Sequence, residues 1–226
     1  MSSLGFIYVE GPSEKQFVDQ LLKPHFQQWC NLTLQPIVSR TKRTAVRTFT
    51  GGITSYARIR KEIHKLLRHS AALFVTTMID FYGLPKDFPG LKQLNTLRFA
   101  TPEQRVLYLE NEFAKNINNN RFIPFLTLHE FETFVLVDPD QLEEALPQYP
   151  SRAAQLKKQI GNTPPEEIND GSATHPAARI IAFFPAYKKA LHGPLIAQRI
   201  GLSAIRNACP HFHQWLQTLE QRCVQQ

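Results

Sequence analysis

Phe6-Ile-Tyr-Val-Glu-Gly-Pro-Ser-Glu14 reads as a strand, a tight turn and the first turn of a helix. Phe6 to Val9 is a short apolar run with the composition of a buried strand, and Gly11-Pro12 ends it. Ser13 followed by Gln16 has the spacing of a helix capping box. Glu10 then falls on the last strand residue and Glu14 in the first helical turn. In an open parallel sheet, ligands bind beyond the carboxyl ends of the strands, which is where Glu10 is expected. Two carboxylates beside a glycine at such a place point to a divalent-metal site. The competing reading is local: Glu10 caps a turn and Glu14 favours the helix dipole.

The same alternation continues downstream. Phe17, Val18, Leu21 and Leu22 mark the inward stripe of a helix that Pro24 is expected to break or kink. Leu32 to Val38 reads as a second strand, and the residues from Ile53 to Leu67 as an amphipathic helix. Ala71 to Ile79 is apolar and β-branched throughout, as in a central strand buried on both faces, and it ends in Asp80. Thr101-Pro-Glu-Gln104 opens another helix, with Val106, Leu109, Phe113 and Ile117 inward. Phe122 to Leu128 is the next strand, weakened by Pro124 and therefore placed near an edge or a bulge. This pattern predicts an α/β fold with a parallel sheet flanked by helices over residues 1–138. From 139 to 226, short helical segments separated by Gly and Pro predict a helical extension packed on that core: Leu142–Leu146, Ala153–Ile160, Ala177–Phe184, Leu195–Ile200 and Phe212–Leu219.

Charge is unevenly spread along the 226 residues, whose formal net charge is +7. Nine of the 26 Lys and Arg residues lie between Arg40 and His69, with Glu62 as the single acid among them. Arg40, Lys42, Arg43, Arg47, Arg58, Lys61 and Lys65 are the candidate nucleic-acid contacts in this stretch, since a concentrated basic face suits a polyphosphate. A solubilising face, or one that docks an acidic protein, is the competing reading. Gly51-Gly52 lets backbone amides approach a phosphate, or serves only as a tight turn. No apolar run reaches the ~18 residues of a membrane span, and no secretory leader is apparent. Cys30, Cys209 and Cys223 are odd in number, widely spaced and form no CxxC, which argues against a disulfide framework or a cysteine-rich zinc site. The expected location is the cytoplasm.

Glu10, Glu14, Asp80, Glu130 and Glu132 are the acids at or just past expected strand ends. Gathering several carboxylates is unfavourable without a neutralising cation, and hard oxygen ligands suit Mg²⁺ or Mn²⁺. Such ions support in-line displacement at a phosphodiester. A zinc-protease reading of His129-Glu-Phe-Glu132 fails because Thr133 stands where the second histidine of HExxH belongs. Cys209-Pro-His-Phe-His213 is expected to cap and pack the last helix around Phe212 and Trp215.

Several stretches together resemble the bacterial family called domain of unknown function 4276. They are Val9-Glu-Gly-Pro-Ser-Glu14, Gly51-Gly52, Thr76 to Pro85, Asp87-Phe-Pro-Gly90, His129-Glu-Phe-Glu132, Ile168-Asn-Asp170, Tyr187-Lys188 and His192-Gly193. That family is related to the TOPRIM fold and to the OLD-type (overcoming lysogenization defect) nucleases. The resemblance implies a TOPRIM-like sheet with Glu10 as the hallmark glutamate and Glu14 as its metal-binding companion. It also implies Asp80 as the first aspartate of a DxD pair, Glu130 as the acid after the next strand, and a helping lysine at Lys188 or Lys189. The implied catalytic set is Glu10, Asp80, Glu130 and Lys188. Tyr82 stands where the second aspartate belongs, which puts a two-metal mechanism in doubt. The activity implied is a Mg²⁺- or Mn²⁺-dependent nuclease in antiviral defence, partnered by an AAA- or ABC-type ATPase; a homodimer is compatible with it. The alternative is a non-catalytic nucleic-acid-binding or regulatory subunit of such an ATPase.

Overall fold

A computed structural model describes residues 3–39, 55–94, 96–168 and 174–225. Arg40, Lys42, Arg43, Arg47, Gly51 and Gly52 therefore lie outside the described residues, as do Asn169 and Asp170. Strand β1 (Leu4–Val9) leads into α1 (Pro12–Phe17), a π-helical turn (Val18–Leu22) and α2 (Lys23–Cys30). The chain goes on through β2 (Thr33–Val38), α3 (Tyr56–Leu67) and β3 (Ala72–Asp80). Next come α4 (Leu91–Leu94), α5 (Pro102–Ile117), β4 (Phe122–Ile123), β5 (Leu126–Thr127) and α6 (Glu132–Val135). Helices then follow one another: α7 (Asp140–Ala145), α8 (Arg152–Ile160), α9 (Pro176–Phe183), α10 (Lys189–Ile200), α11 (Leu202–Ala208) and α12 (Pro210–Val224).

Among the described residues the strands form one five-stranded parallel sheet in the order β2-β1-β3-β4, with β5 continuing along β3 beyond β4. The α/β class read from the alternating pattern is the observed one. β3 explains its unbroken apolar run: Phe74 and Met78 enter the core on one face, Val75 and Ile79 the core on the other. The second of these cores is closed by Tyr56, Ile59 and Ile63 of α3 and by Val106, Leu109 and Phe113 of α5. The first takes Phe17, Leu22 and Phe26 from the N-terminal helices together with Ile196, Phe212, Trp215 and Leu219 from α10 and α12. The C-terminal helices thus share their core with β1 and β3, and Trp215 Nε1 donates to Thr76 Oγ1 of β3 at 2.8 Å.

Several local expectations change. The helix after β1 starts at Pro12, with Gly11 rather than Ser13 as its N-cap, and Glu14 Oε2 accepts the Gly11 N–H at 2.9 Å. Proline suits that first helical position because its missing N–H would have been unsatisfied there. Pro24 does not end the helix. The backbone widens into the π turn just before it, where Lys23 N–H donates to Val18 O, and the wider winding relieves the clash of the proline ring with the preceding turn. Pro124 does split its strand: β4 and β5 are two-residue pieces, and Thr77 Oγ1 bridges the gap, accepting from Phe125 N–H at 2.9 Å and donating to Phe125 O at 2.8 Å. Helix α10 begins six residues before the expected Leu195, running through Gly193 and Pro194, and α11 was not expected.

The cysteine expectation is overturned. Cys30 at the end of α2 and Cys223 in α12 form a disulfide, with Cα atoms 6.3 Å apart and a sequence separation of 193. Wide spacing in sequence is no obstacle, because α2 and α12 pack side by side over the same face of the sheet. Cys209 is buried as a thiol.

Candidate functional site

Strand ends and the first turns of α1, α6 and α10 build the site. Glu10 follows β1 and Glu14 projects from the first turn of α1. Asp80 is the last residue of β3, and Glu132 is the first of α6, just past β5. Into this group comes Lys189, the first residue of α10. Its Nζ lies 2.8 Å from Asp80 Oδ2, 3.2 Å from Glu132 Oε2 and 3.8 Å from Glu14 Oε1. Asp80 N–H in turn donates to Glu10 Oε2 at 3.3 Å. Gly193 lets α10 come this close: a Cβ there would sit 2.9 Å from Tyr187 Oη and 3.1 Å from the Phe131 ring.

Of the two lysines the resemblance implies, the fold brings Lys189 among the carboxylates and leaves Lys188 outside them. Lys188 is the exposed N-cap of α10, with its backbone N–H on His192 Nδ1 at 2.9 Å. Lysines adjacent at a helix start point in different directions, and the sequence alone does not select between them.

Burial without enough positive charge dominates the electrostatics. Glu14, Asp80 and Glu132 are almost completely buried. Burial, and then the Asp80 and Glu14 charges, push Glu10 up to about 8. Glu14 rises to about 7, from burial and then Asp80; Glu132 rises to about 7, chiefly from burial. Asp80 is also raised by burial, against the opposing pull of Lys189. Burial alone would lower the lysine, but Asp80, Glu132 and Glu14 together hold its ammonium well above the ordinary value. Among the described residues one ammonium faces these four carboxylates, so the group favours additional protons or an additional cation.

Glu130 stands apart from this geometry. Its Oε1 accepts the Ala177 N–H at 2.6 Å, at the start of α9, and meets His175 Nδ1 at 2.8 Å. Its charge is still felt at Asp80 and Glu132. Tyr187, whose hydroxyl reaches Glu132 Oε1 at 3.4 Å, and His175 were both missed in the sequence reading. A Tyr-Lys pair before a helix was the available signal for Tyr187; His175 gave none.

Among the described residues, no three His, Cys, Asp or Glu side chains already converge as a formed metal site. The donor set nevertheless fits a hard divalent ion. Every candidate ligand is a carboxylate, and Asp80 Oδ1 is buried with no hydrogen-bond partner among the described residues. Gly83 leaves room on the outer side: even a Cβ there would lie 3.5 Å from Glu10 Oε1.

Of the basic stretch, the described part is α3. Tyr56, Ile59, Ile63 and Leu67 face the core, while Arg60, Lys61, Lys65 and Arg68 are exposed and Arg58 half-buried. The Tyr8 phenol is raised by burial, with smaller opposing contributions from the Arg58 and Glu10 charges. A cleft of about 460 Å³ beside α3 is lined by Tyr56, Arg60, Lys61, His64, Asp87 and Asn116.

Fold and site together define an α/β protein with a buried carboxylate–lysine cluster at the carboxyl edge of a parallel sheet. The chain belongs to the family described as "Domain of unknown function (DUF4276)", whose profile matches residues 9–220. Among solved structures it is similar to the C-terminal region of the Burkholderia pseudomallei OLD protein, at 14% identity and a TM-score of 0.40, covering 96% of this chain and 100% of that one. No curated protein gives a significant match. Among the described residues no helix is long and apolar enough to cross a membrane.

Proposed function

We propose that this protein is a Mg²⁺- or Mn²⁺-dependent nuclease. The observation that carries the reading is the gathering of Glu10, Glu14, Asp80 and Glu132 about the ammonium of Lys189. Four carboxylates, three of them almost fully buried, are a costly arrangement that simple packing does not require. Asp80, Glu132, Glu14 and Glu10 are the residues that would hold the metal, with Glu130 near enough to act through its charge. When bound, such an ion supplies polarisation of a phosphoryl oxygen and a more acidic water. Lys189 is the cation the chain itself offers to charge developing on a scissile phosphate. The exposed lysines and arginines of α3 neutralise the flanking backbone, an interaction that weakens with salt. The TOPRIM-like assignment, a defence role and an ATPase partner belong to the same proposal and rest on the resemblance stated above; the cytoplasmic location rests on the sequence features given with it.

Nicking of supercoiled plasmid with Mn²⁺ or Mg²⁺ tests it. Cleavage should disappear with EDTA and in a folded Glu10→Gln variant. No cleavage of DNA or RNA, together with no Mn²⁺ binding by calorimetry, would exclude this reading for the chain alone. A second reading, a non-catalytic nucleic-acid-binding subunit of an ATPase, is favoured by one observation. Tyr82 offers no carboxylate, and Glu130 is occupied by His175 and Ala177. Metal binding and nucleic-acid binding without cleavage would support that second reading.

A further inference from the structure

Directly outside the carboxylates stands an aromatic side chain that packs into neither core. The short turn Phe81–Gly83 after β3 turns its two rings opposite ways. Phe81 is buried with Arg105 over its face, 5.4 Å from the centroid, whereas Tyr82 is 48% exposed. The turn is pinned, because Tyr82 N–H donates to His129 O at 3.0 Å. On one side Gly83 lies against Glu10. On the other the Tyr82 ring meets His175, with centroids 5.3 Å apart and planes 31° from parallel. His175 is fixed in turn by its 2.8 Å contact with Glu130. An exposed ring on a pinned turn, backed on one side by a fixed imidazole, loses little conformational freedom when something flat settles on it.

We infer that Tyr82, backed by His175, is a stacking platform for a nucleobase next to the scissile phosphodiester, which makes single-stranded nucleic acid the preferred substrate. The inference rests on the nuclease reading for the identity of the neighbouring site. Its own basis is the geometry: a π face at the mouth of a site whose other groups suit a phosphate. A base inside a duplex has both faces covered by its neighbours; a base in a single strand has a face to give. Stacking of this kind tolerates any base, so the platform selects for strandedness rather than sequence.

A binding cycle tests this separately from cleavage. Fluorescence anisotropy would be read with a labelled 12-nucleotide DNA strand and with a tetrahydrofuran strand of the same length that keeps the phosphates but lacks bases. Ca²⁺ replaces Mn²⁺ to prevent turnover. Tyr82→Ala should weaken binding of the base-containing strand about 5- to 150-fold, from ~1–3 kcal/mol of stacking per base. Tyr82→Phe should stay within about twofold, and neither change should alter binding of the tetrahydrofuran strand. An equal loss on both strands, no loss on either, tighter binding of a blunt duplex than of the strand, or no binding at all overturns the platform. If the cycle holds but no metal-dependent cleavage is found, the nuclease reading fails and the platform stands. If Glu10-dependent cleavage is found but the cycle fails, the reverse is true.

Discussion

Lys189 decides the character of the site at the scale of single residues. Its ammonium bridges Asp80, Glu132 and Glu14, so replacing it strands buried negative charge. Lys189→Met is expected to lower stability by about 1–3 kcal/mol in urea unfolding. That is less than the 3–5 kcal/mol typical of a fully buried pair, because 37% of the lysine side chain remains open to solvent. Millimolar Mn²⁺ should restore much of the loss; if it does not, these carboxylates do not share a cation site. Protons compete for the same oxygens. Glu10 near 8 and Glu14 and Glu132 near 7 keep protons in the folded state that an unfolded chain sheds near 4.5. The metal-free protein is therefore expected to lose stability as pH rises from about 5 toward 8. Mn²⁺ affinity should rise over the upper part of that window, with proton release. Calorimetry in two buffers of different ionisation enthalpy reads that release, and a pH-independent affinity would contradict the cluster as the binding site.

Single elements are held by polar groups as well as by apolar faces. The first N–H groups of α12 are satisfied by a distant residue: Glu166 accepts from His211 N–H at 2.9 Å and from Phe212 N–H at 3.1 Å. The His211 ring reaches the Glu110 carboxylate of α5 at 3.1 Å, and Glu110 also accepts the Leu126 N–H of β5 at 2.7 Å. Glu166→Ala should cost about 1–3 kcal/mol, since it leaves two buried donors unmatched. Burial would lower His211, but Glu110 more than offsets this and raises it. Its stabilising charge is fully present below about 6.5 and is lost as pH climbs through the raised value. The stability difference between wild type and His211→Gln should therefore shrink as pH rises from 6.5, as chemical denaturation at several pH values would show. These contacts mark the boundary of what the sequence discloses. Periodicity exposed β1, β3, α3 and α5, because one-dimensional spacing determines which face is apolar. It exposed Glu10, Glu14, Asp80 and Glu132 because strand ends collect at one edge of a parallel sheet. It could not show Lys189 in preference to Lys188, or the tie of Glu130 to α9. Both depend on how α9 and α10 dock, and the side chains concerned meet across more than 40 residues of sequence.

Across the whole molecule, the first and last parts of the chain are fastened together over one face of the sheet. α2 and α12 share a core through Phe26, Leu216 and Leu219. Beside it, Arg206 pairs with both oxygens of Glu220 at 2.6 and 2.7 Å, and His25 of α2 meets Glu220 at 2.7 Å. The Cys30–Cys223 bond closes nearly the whole chain into a loop, so in the chain-entropy view it acts mostly on the unfolded ensemble. It also restrains the far end of the helical run that begins with α1, whose first turn carries Glu14. Cys223→Ser, or reduction with a phosphine, is expected to lower unfolding free energy by about 2–4 kcal/mol. The core and the Glu220 pairs remain in either case, so the reduced protein should stay folded and keep its Mn²⁺ affinity within about twofold. Thermal unfolding with and without reductant measures the first effect, and Cys223→Ser should be insensitive to reductant. Loss of metal binding on reduction would show that the site depends on this fastening; an unchanged Tm would show that the fold is held by the shared core alone.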